Sequence, residues 1–319
     1  YNLASQRMVI VGGDTNGEGT SGGLVNEILT VPVAENTPQT YGFWSHPVMR
    51  TFPAHPGPPP IAGFQMFGLM NAGDGIARNL EAFTPTGTSP PGWGCTNTQA
   101  GQWSAASLTT DSLSERPIGD YPNMFVLPDG RLFYAGSTPQ NPTLPYKRFY
   151  DLSSKVWVDS TSQPHYDALD FGSAVMYRPG KILRAGTRSE GRGEVATERT
   201  ETINIGAGTI PGWALYGGAG KPSLTARIDH NLTLLPTGDV LATGGLGVPA
   251  DTSHSVKQPQ VWRVADGRWS DPLTSTGHDE WLLADPYIRN YHSTAILLPD
   301  ARVLTAGGEQ PSVGRATAS

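Results

Sequence analysis

Short apolar runs along this chain alternate with turns rich in Pro, Asp and Gly, and one such unit returns repeatedly. Its clearest copy reads Met124-Phe125-Val126-Leu127, then Pro128-Asp129-Gly130-Arg131, then Leu132-Phe133-Tyr134-Ala135-Gly136. A second copy runs from Ala174 through Arg178-Pro179-Gly180-Lys181 to Gly186. A third runs from Leu232 through Pro236-Thr237-Gly238-Asp239 to Gly245. A fourth runs from Ala295 through Pro299-Asp300-Ala301-Arg302 to Gly308. The turns follow one another at about 50, 58 and 63 residues. Each unit predicts a β-hairpin, because Pro presets the turn and Gly takes positive φ without a steric penalty. Ala301 stands where the other copies carry Gly, so a different turn type is expected there. The small residues that close each unit let the backbone bend or approach a neighbour closely.

Further strand signals follow the hairpins and end in Trp: Lys147-Arg148-Phe149-Tyr150 leads to Trp157, and Gln260-Val261-Trp262-Arg263 leads to Trp269. Four-stranded units repeating at this period predict the blades of a kelch-type β-propeller, an all-β fold. Two weaker copies precede them, around Met8–Gly13 and around Phe64–Gly68 with Leu80–Phe83 and Trp103. About six blades are therefore expected in residues 1–319, read as a single propeller domain, ragged at both ends, with seven in the intact protein. Edge strands need cover, so either the missing strands come from residues outside this chain or the ring is open. Pro53–Pro60, with His55, and Thr84–Thr98 read as loops, since proline runs do not fit a central strand.

Composition narrows the function. The formal net charge is -6, with 16% charged residues and scattered Arg, which argues against nucleic acid as a partner. No segment has the unbroken apolar length of a membrane span. Gly 39 and Pro 28 agree with a turn-rich β fold. Cys95 is the single cysteine, so no internal disulfide forms, and no pKa-lowering neighbour marks it as a nucleophile. No signal peptide is visible, and the chain begins at Tyr1. His46, His55, His165, His254 and His278 lie in polar, loop-like contexts without metal spacing. The sequon Asn231-Leu232-Thr233 falls on an inner strand, where a glycan does not fit. The Gly-rich stretch from Gly12 to Gly23 lacks the strand-to-helix context of a phosphate loop.

The stretch Arg289-Asn290-Tyr291-His292-Ser293-Thr294-Ala295-Ile296-Leu297-Leu298-Pro299-Asp300 resembles a strand of the galactose oxidase and glyoxal oxidase family of copper-radical oxidases. Asp120-Tyr121-Pro122-Asn123-Met124-Phe125, Ser173–Leu183 and Ala226-Arg227-Ile228-Asp229-His230 resemble the preceding blades in the same order. The resemblance covers residues 116–310 well and residues 5–115 poorly. It implies oxidation of a primary alcohol or aldehyde, or of a carbohydrate bearing one, with O2 reduced to H2O2. It also implies a copper cofactor and a secreted or cell-surface protein. Tyr291 would be the axial copper ligand and catalytic proton acceptor, and His292 an equatorial ligand. Tyr121, Asp229 and His230 would line the substrate pocket.

Two features depart from the family pattern. Aligning Arg50-Thr51-Phe52-Pro53 with the family's Arg-Trp-Tyr-Pro strand puts Phe52 at the radical position, and phenylalanine has no hydroxyl to oxidise. Cys95 follows that strand, whereas the family's cross-linking cysteine precedes it. That cysteine is expected before Tyr1, and the C-terminal β-sandwich with its histidine ligand is expected outside this chain. A second function therefore stays open: a catalytically silent propeller that binds glycan or protein. In a regular strand, Tyr291 and His292 would point to opposite faces, so both reach one metal only if the strand end is irregular. On spacing alone they read as a packed Tyr and a turn-bonded His. Asp229 and His230 read equally as a hydrogen-bonded strand terminus.

Overall fold

A computed structural model describes residues 7–10, 27–30, 43–45, 61–62, 65–69, 80–85, 101–103, 123–135, 147–159, 172–188, 195–206, 212–217, 221–249, 251–271 and 285–308. The chain divides into two compact units, Tyr1–Ser160 and Thr161–Ser319. Among the described residues every sheet is antiparallel and built in chain order.

In the first unit, β1 (Arg7–Ile10), β2 (Glu27–Thr30) and β3 (Phe43–Ser45) form a three-stranded sheet. A four-stranded sheet follows from β4 (Ile61–Ala62), β5 (Gln65–Leu69), β6 (Leu80–Pro85) and β7 (Gly101–Trp103). The strand β6 extends into the start of the expected Thr84–Thr98 loop. The next sheet is β8 (Met124–Val126), β9 (Leu132–Tyr134), β10 (Lys147–Asp151) and β11 (Val156–Asp159). Its period-two pattern collects Met124, Leu132, Tyr134, Tyr150 and Trp157 into one buried cluster. Tyr150 and Trp157 meet edge to face, with ring centroids 5.4 Å apart.

In the second unit, β12 (Ser173–Arg178), β13 (Lys181–Arg188), β14 (Ala196–Asn204) and β15 (Ala214–Tyr216) form one sheet. A second contains β16 (Asn231–Leu234), β17 (Val240–Thr243), β18 (Gln260–Arg263) and β19 (Arg268–Trp269). The hairpin of β20 (Ser293–Leu297) and β21 (Val303–Gly307) makes a third. The inner strands are neighbours: β12 lies beside β16, and β16 beside β20. This is how successive blades sit around a common axis.

The first two of these sheets pack face to face. Alternation puts Val175, Tyr177, Leu183 and Ala185 on one side of the interface and Leu232, Val240, Ala242 and Trp262 on the other, with Trp269 fully buried among them. Tyr216, Trp262 and Trp269 form an edge-to-face chain, with centroids 4.8 and 5.5 Å apart. The Trp269 Nε1–H donates to Thr200 Oγ1 at 3.0 Å, so its polar edge is satisfied inside the core.

Ala301 overturns the expectation of a different turn. The Gly130 and Gly238 N–H groups donate to the Leu127 and Leu235 carbonyls, and the Ala301 N–H donates likewise to Leu298. Ala301 takes φ +69, in the left-handed region occupied by Gly130 and Gly238 at +86. Hairpin pairing imposes the conformation, and alanine accepts the strain at about 1–2 kcal/mol.

Candidate functional site

The candidate site begins where the chain enters β20. The segment from Arg289 to Pro299 is one residue longer than its counterpart from Arg227 to Pro236. The extra residue goes into a turn at Tyr291 and His292, closed by the Ser293 N–H donating to the Asn290 carbonyl at 2.9 Å. His292 takes φ +61. Left-handed backbone is uncommon for residues with a Cβ, and such strain concentrates at functional sites. A regular strand would point the two side chains to opposite faces; the turn makes the strand end irregular and brings the two rings together, with centroids 3.8 Å apart at an interplanar angle of 32°. Tyr291 is half-buried and His292 exposed.

The Arg227–Asn231 segment lies alongside. Asn231 Nδ2 donates to Ser293 Oγ at 3.0 Å, joining the starts of β16 and β20. That bond uses the sequon's amide on a half-buried residue, in keeping with an unglycosylated asparagine. Asp229 is half-buried, with φ +55. His230 is 6% exposed and packs between the backbones of Gly186 and Gly245. Neither of its ring nitrogens has a hydrogen-bond partner among the described residues. Burial, reinforced by the positive charge of Arg227, pulls its pKa down to about 3, so the ring is neutral at ordinary pH.

Arg227 is fully buried and held by oxygen acceptors alone: Thr225 O, Gly244 O, Gln258 O and Gln260 Oε1, at 2.9–3.1 Å. Burial lowers its pKa to about 9, which leaves the guanidinium charged at neutral pH. Arg289, which opens the corresponding segment of the next blade, is bonded differently. Its Nε lies 3.2 Å from Asp285 Oδ2, and its Nη1 donates to the Gly307 carbonyl at 2.9 Å. Burial pushes the Asp285 carboxyl up, but the Tyr287 N–H, the Thr305 hydroxyl and Arg289 outweigh it and hold the pKa below the usual range.

Sequence reading singled out Tyr291, His292, Asp229 and His230 but passed over Arg289, Asp285 and Gln260 as site-supporting groups. The recurring Arg at the head of both segments was the available signal. Tyr121, Phe52 and Cys95 lie outside the described residues. His254 is exposed and pairs with Asp251, with Nδ1 and Oδ2 2.8 Å apart. Among the described residues, no three His, Cys, Asp or Glu side chains gather into a metal-binding group. Tyr291 and His292 nonetheless offer a phenol oxygen and an imidazole nitrogen from one side of a turn, donors of the kind copper(II) accepts.

No protein-family model matches the chain. Across its length it resembles the solved structure of a fungal alcohol oxidase of the AA5 family in complex with copper. That likeness has a TM-score of 0.54 at 17% identity and covers 96% of this chain and 69% of the other. At that identity the likeness concerns the fold, an all-β propeller. Over 142 residues, 43% of this chain, it is 32% identical to a galactose oxidase from Gibberella zeae (strain PH-1), and a second Gibberella zeae galactose oxidase matches equally. Over those 142 residues the chain is similar to the galactose oxidases. The match spans 19% of the length of those relatives.

Proposed function

We propose that this chain is the propeller of a copper-radical oxidase-like protein acting on a primary alcohol, an aldehyde or a carbohydrate bearing one. For an alcohol the reaction balances as RCH2OH + O2 giving RCHO + H2O2. The observation that supports this reading is the stacked Tyr291–His292 pair, with rings 3.8 Å apart in a strained turn. Tyr291 and His292 would hold copper, with the remaining donors supplied from outside the described residues. Bound copper supplies one-electron redox chemistry at this turn. Tyr291 would take the substrate hydroxyl proton on its phenol oxygen, and Asp229 and Tyr121 would shape the pocket. His230, neutral and buried, would support the pocket wall. The same reading expects a secreted or cell-surface protein.

Phe52 favours a second reading, a silent propeller that binds glycan or protein, because its alignment with the radical position leaves no phenol there. Copper content and peroxide release over a panel of small alcohols and aldehydes separate the two. The oxidase reading expects bound copper that is lost in His292→Ala, together with peroxide formation. A full-length protein that binds no copper defeats it. Bound copper without peroxide from any substrate favours the silent propeller.

A further inference from the structure

We propose that Asp285 and Arg289 form a clamp that positions the Tyr291–His292 ring pair, which makes Arg289 a positioning residue for that turn. Arg289 lies immediately before the turn and bonds at both ends. Its carbonyl accepts the Gly245 N–H at 2.6 Å, tying it to the preceding blade. Its guanidinium reaches the Asp285 carboxylate at 3.2 Å and the Gly307 carbonyl at 2.9 Å. Gly307 is the far side of the turn: it pairs with Ser293, and a Cβ on it would sit 2.8 Å from the His292 carbonyl. One arginine thus spans from the base of the turn to the strand against which His292 rests.

Asp285 is itself held. Its Oδ2 also accepts the Thr305 hydroxyl at 2.8 Å, its Oδ1 accepts the Tyr287 N–H at 2.9 Å, and its N–H donates to the Lys257 carbonyl at 3.0 Å. The Arg289–Asp285 pair is about one-fifth exposed, so water screens it only partly. The preceding blade provides the contrast. Arg227 opens the matching segment, lacks a carboxylate among its partners, and leads into a segment without the extra residue. The carboxylate clamp accompanies the blade that carries the extra residue and the Tyr291–His292 ring pair; left-handed backbone alone does not call for it, since Asp229 has φ +55 in the blade without the clamp.

The purpose of the clamp rests on the ligand reading above, but its existence is tested without metal, so failure of copper binding and failure of the clamp are separate results. The test uses the full chain, metal-free, with histidine labelled at Cε1. Stacking on Tyr291 should shift the His292 Cε1–H resonance, and Tyr291→Ala should remove that shift. Arg289→Lys and Asp285→Asn are each expected to remove at least half of it while the other six histidine resonances stay in place. Thr305→Val, which leaves the Arg289–Gly307 bond intact, is expected to produce a smaller displacement in the same direction. A His292 signal that keeps more than half of its shift in both Arg289→Lys and Asp285→Asn overturns the clamp. Collapse of all seven histidine signals overturns it too, because Arg289 would then hold the fold rather than the turn.

Discussion

Asp229 and His292 occupy the same place in successive blades: each precedes the leucine that opens its hairpin turn, Leu235 or Leu298, by the same number of residues. Both are left-handed, with φ +55 and +61. Asp and His tolerate this region better than most residues, so the backbone demand and the chemistry are met by one side chain. His292→Asn should therefore keep the turn, with a melting temperature close to the parent's, while losing the imidazole donor. His292→Val places a β-branched residue at positive φ and should cost about 1–3 kcal/mol. Urea unfolding of the two variants tests the distinction: equal losses would mean that the left-handed backbone is not the constraint.

Gly186 is the tightest packing point beside His230. At φ +67, an added Cβ would collide with the Arg227 carbonyl and lie 2.6 Å from His230 Cε1. The backbone on either side of that carbonyl is pinned, by the Arg227 N–H donating to the Thr197 carbonyl and by the Ile228–Leu246 bridge, so it cannot move aside cheaply. Gly186→Ala is expected to destabilise by about 2–3 kcal/mol, from conformational strain and overpacking together. Gly130→Ala serves as the comparison, since nothing lies within 4 Å of a Cβ there; it should show the strain alone. Equal urea midpoints for the two variants would refute the close approach at Gly186.

The alanine at position 301 offers a test in the stabilising direction. Its turn bonds match those of the glycine turns, so Ala301→Gly should relieve left-handed strain without moving the hairpin. After the greater unfolded-state entropy of glycine is deducted, a gain of about 0.5–1 kcal/mol is expected. Chemical denaturation with an unchanged m-value would show it, and a loss of stability would contradict the shared turn.

His230 makes stability depend on acid. Its folded pKa, about 3, lies below the ordinary histidine value of 6.5. The unfolded chain therefore binds the proton more readily throughout that interval. The resulting stability is fully present above pH 6.5 and is lost as pH falls toward 3, a contribution on the order of 5 kcal/mol. His230→Leu removes the titrating group and should flatten the slope of unfolding free energy between those limits. An unchanged slope would show that His230 is not the group responsible.

Much of the fold was legible because hairpins are local. Leu127–Arg131, Leu235–Asp239 and Leu298–Arg302 carry their turn instructions in neighbouring residues, and period-two alternation marks which side chains enter the core. The turn at Ala301 was misread because residue propensity suggested a difference that strand pairing overruled. Tyr291 and His292 were legible as a motif, but their arrangement was not, since a strand pattern predicts opposite faces. The clamp was illegible for another reason: Asp285, Arg289, Thr305 and Gly307 come from both sides of a hairpin, and no local pattern links them.

By itself, the sequence determined that this chain forms repeated antiparallel blades, and it marked Tyr291 and His292 as the residues to watch, because turn chemistry and alternation act over a few neighbouring positions. Only the tertiary structure decided that the two rings share one side of a turn, that His230 is sealed between two glycines, and that Arg289 answers to a carboxylate while Arg227 does not. Those outcomes depend on which backbone groups the adjoining blade presents, and packing between segments distant in the chain sets them.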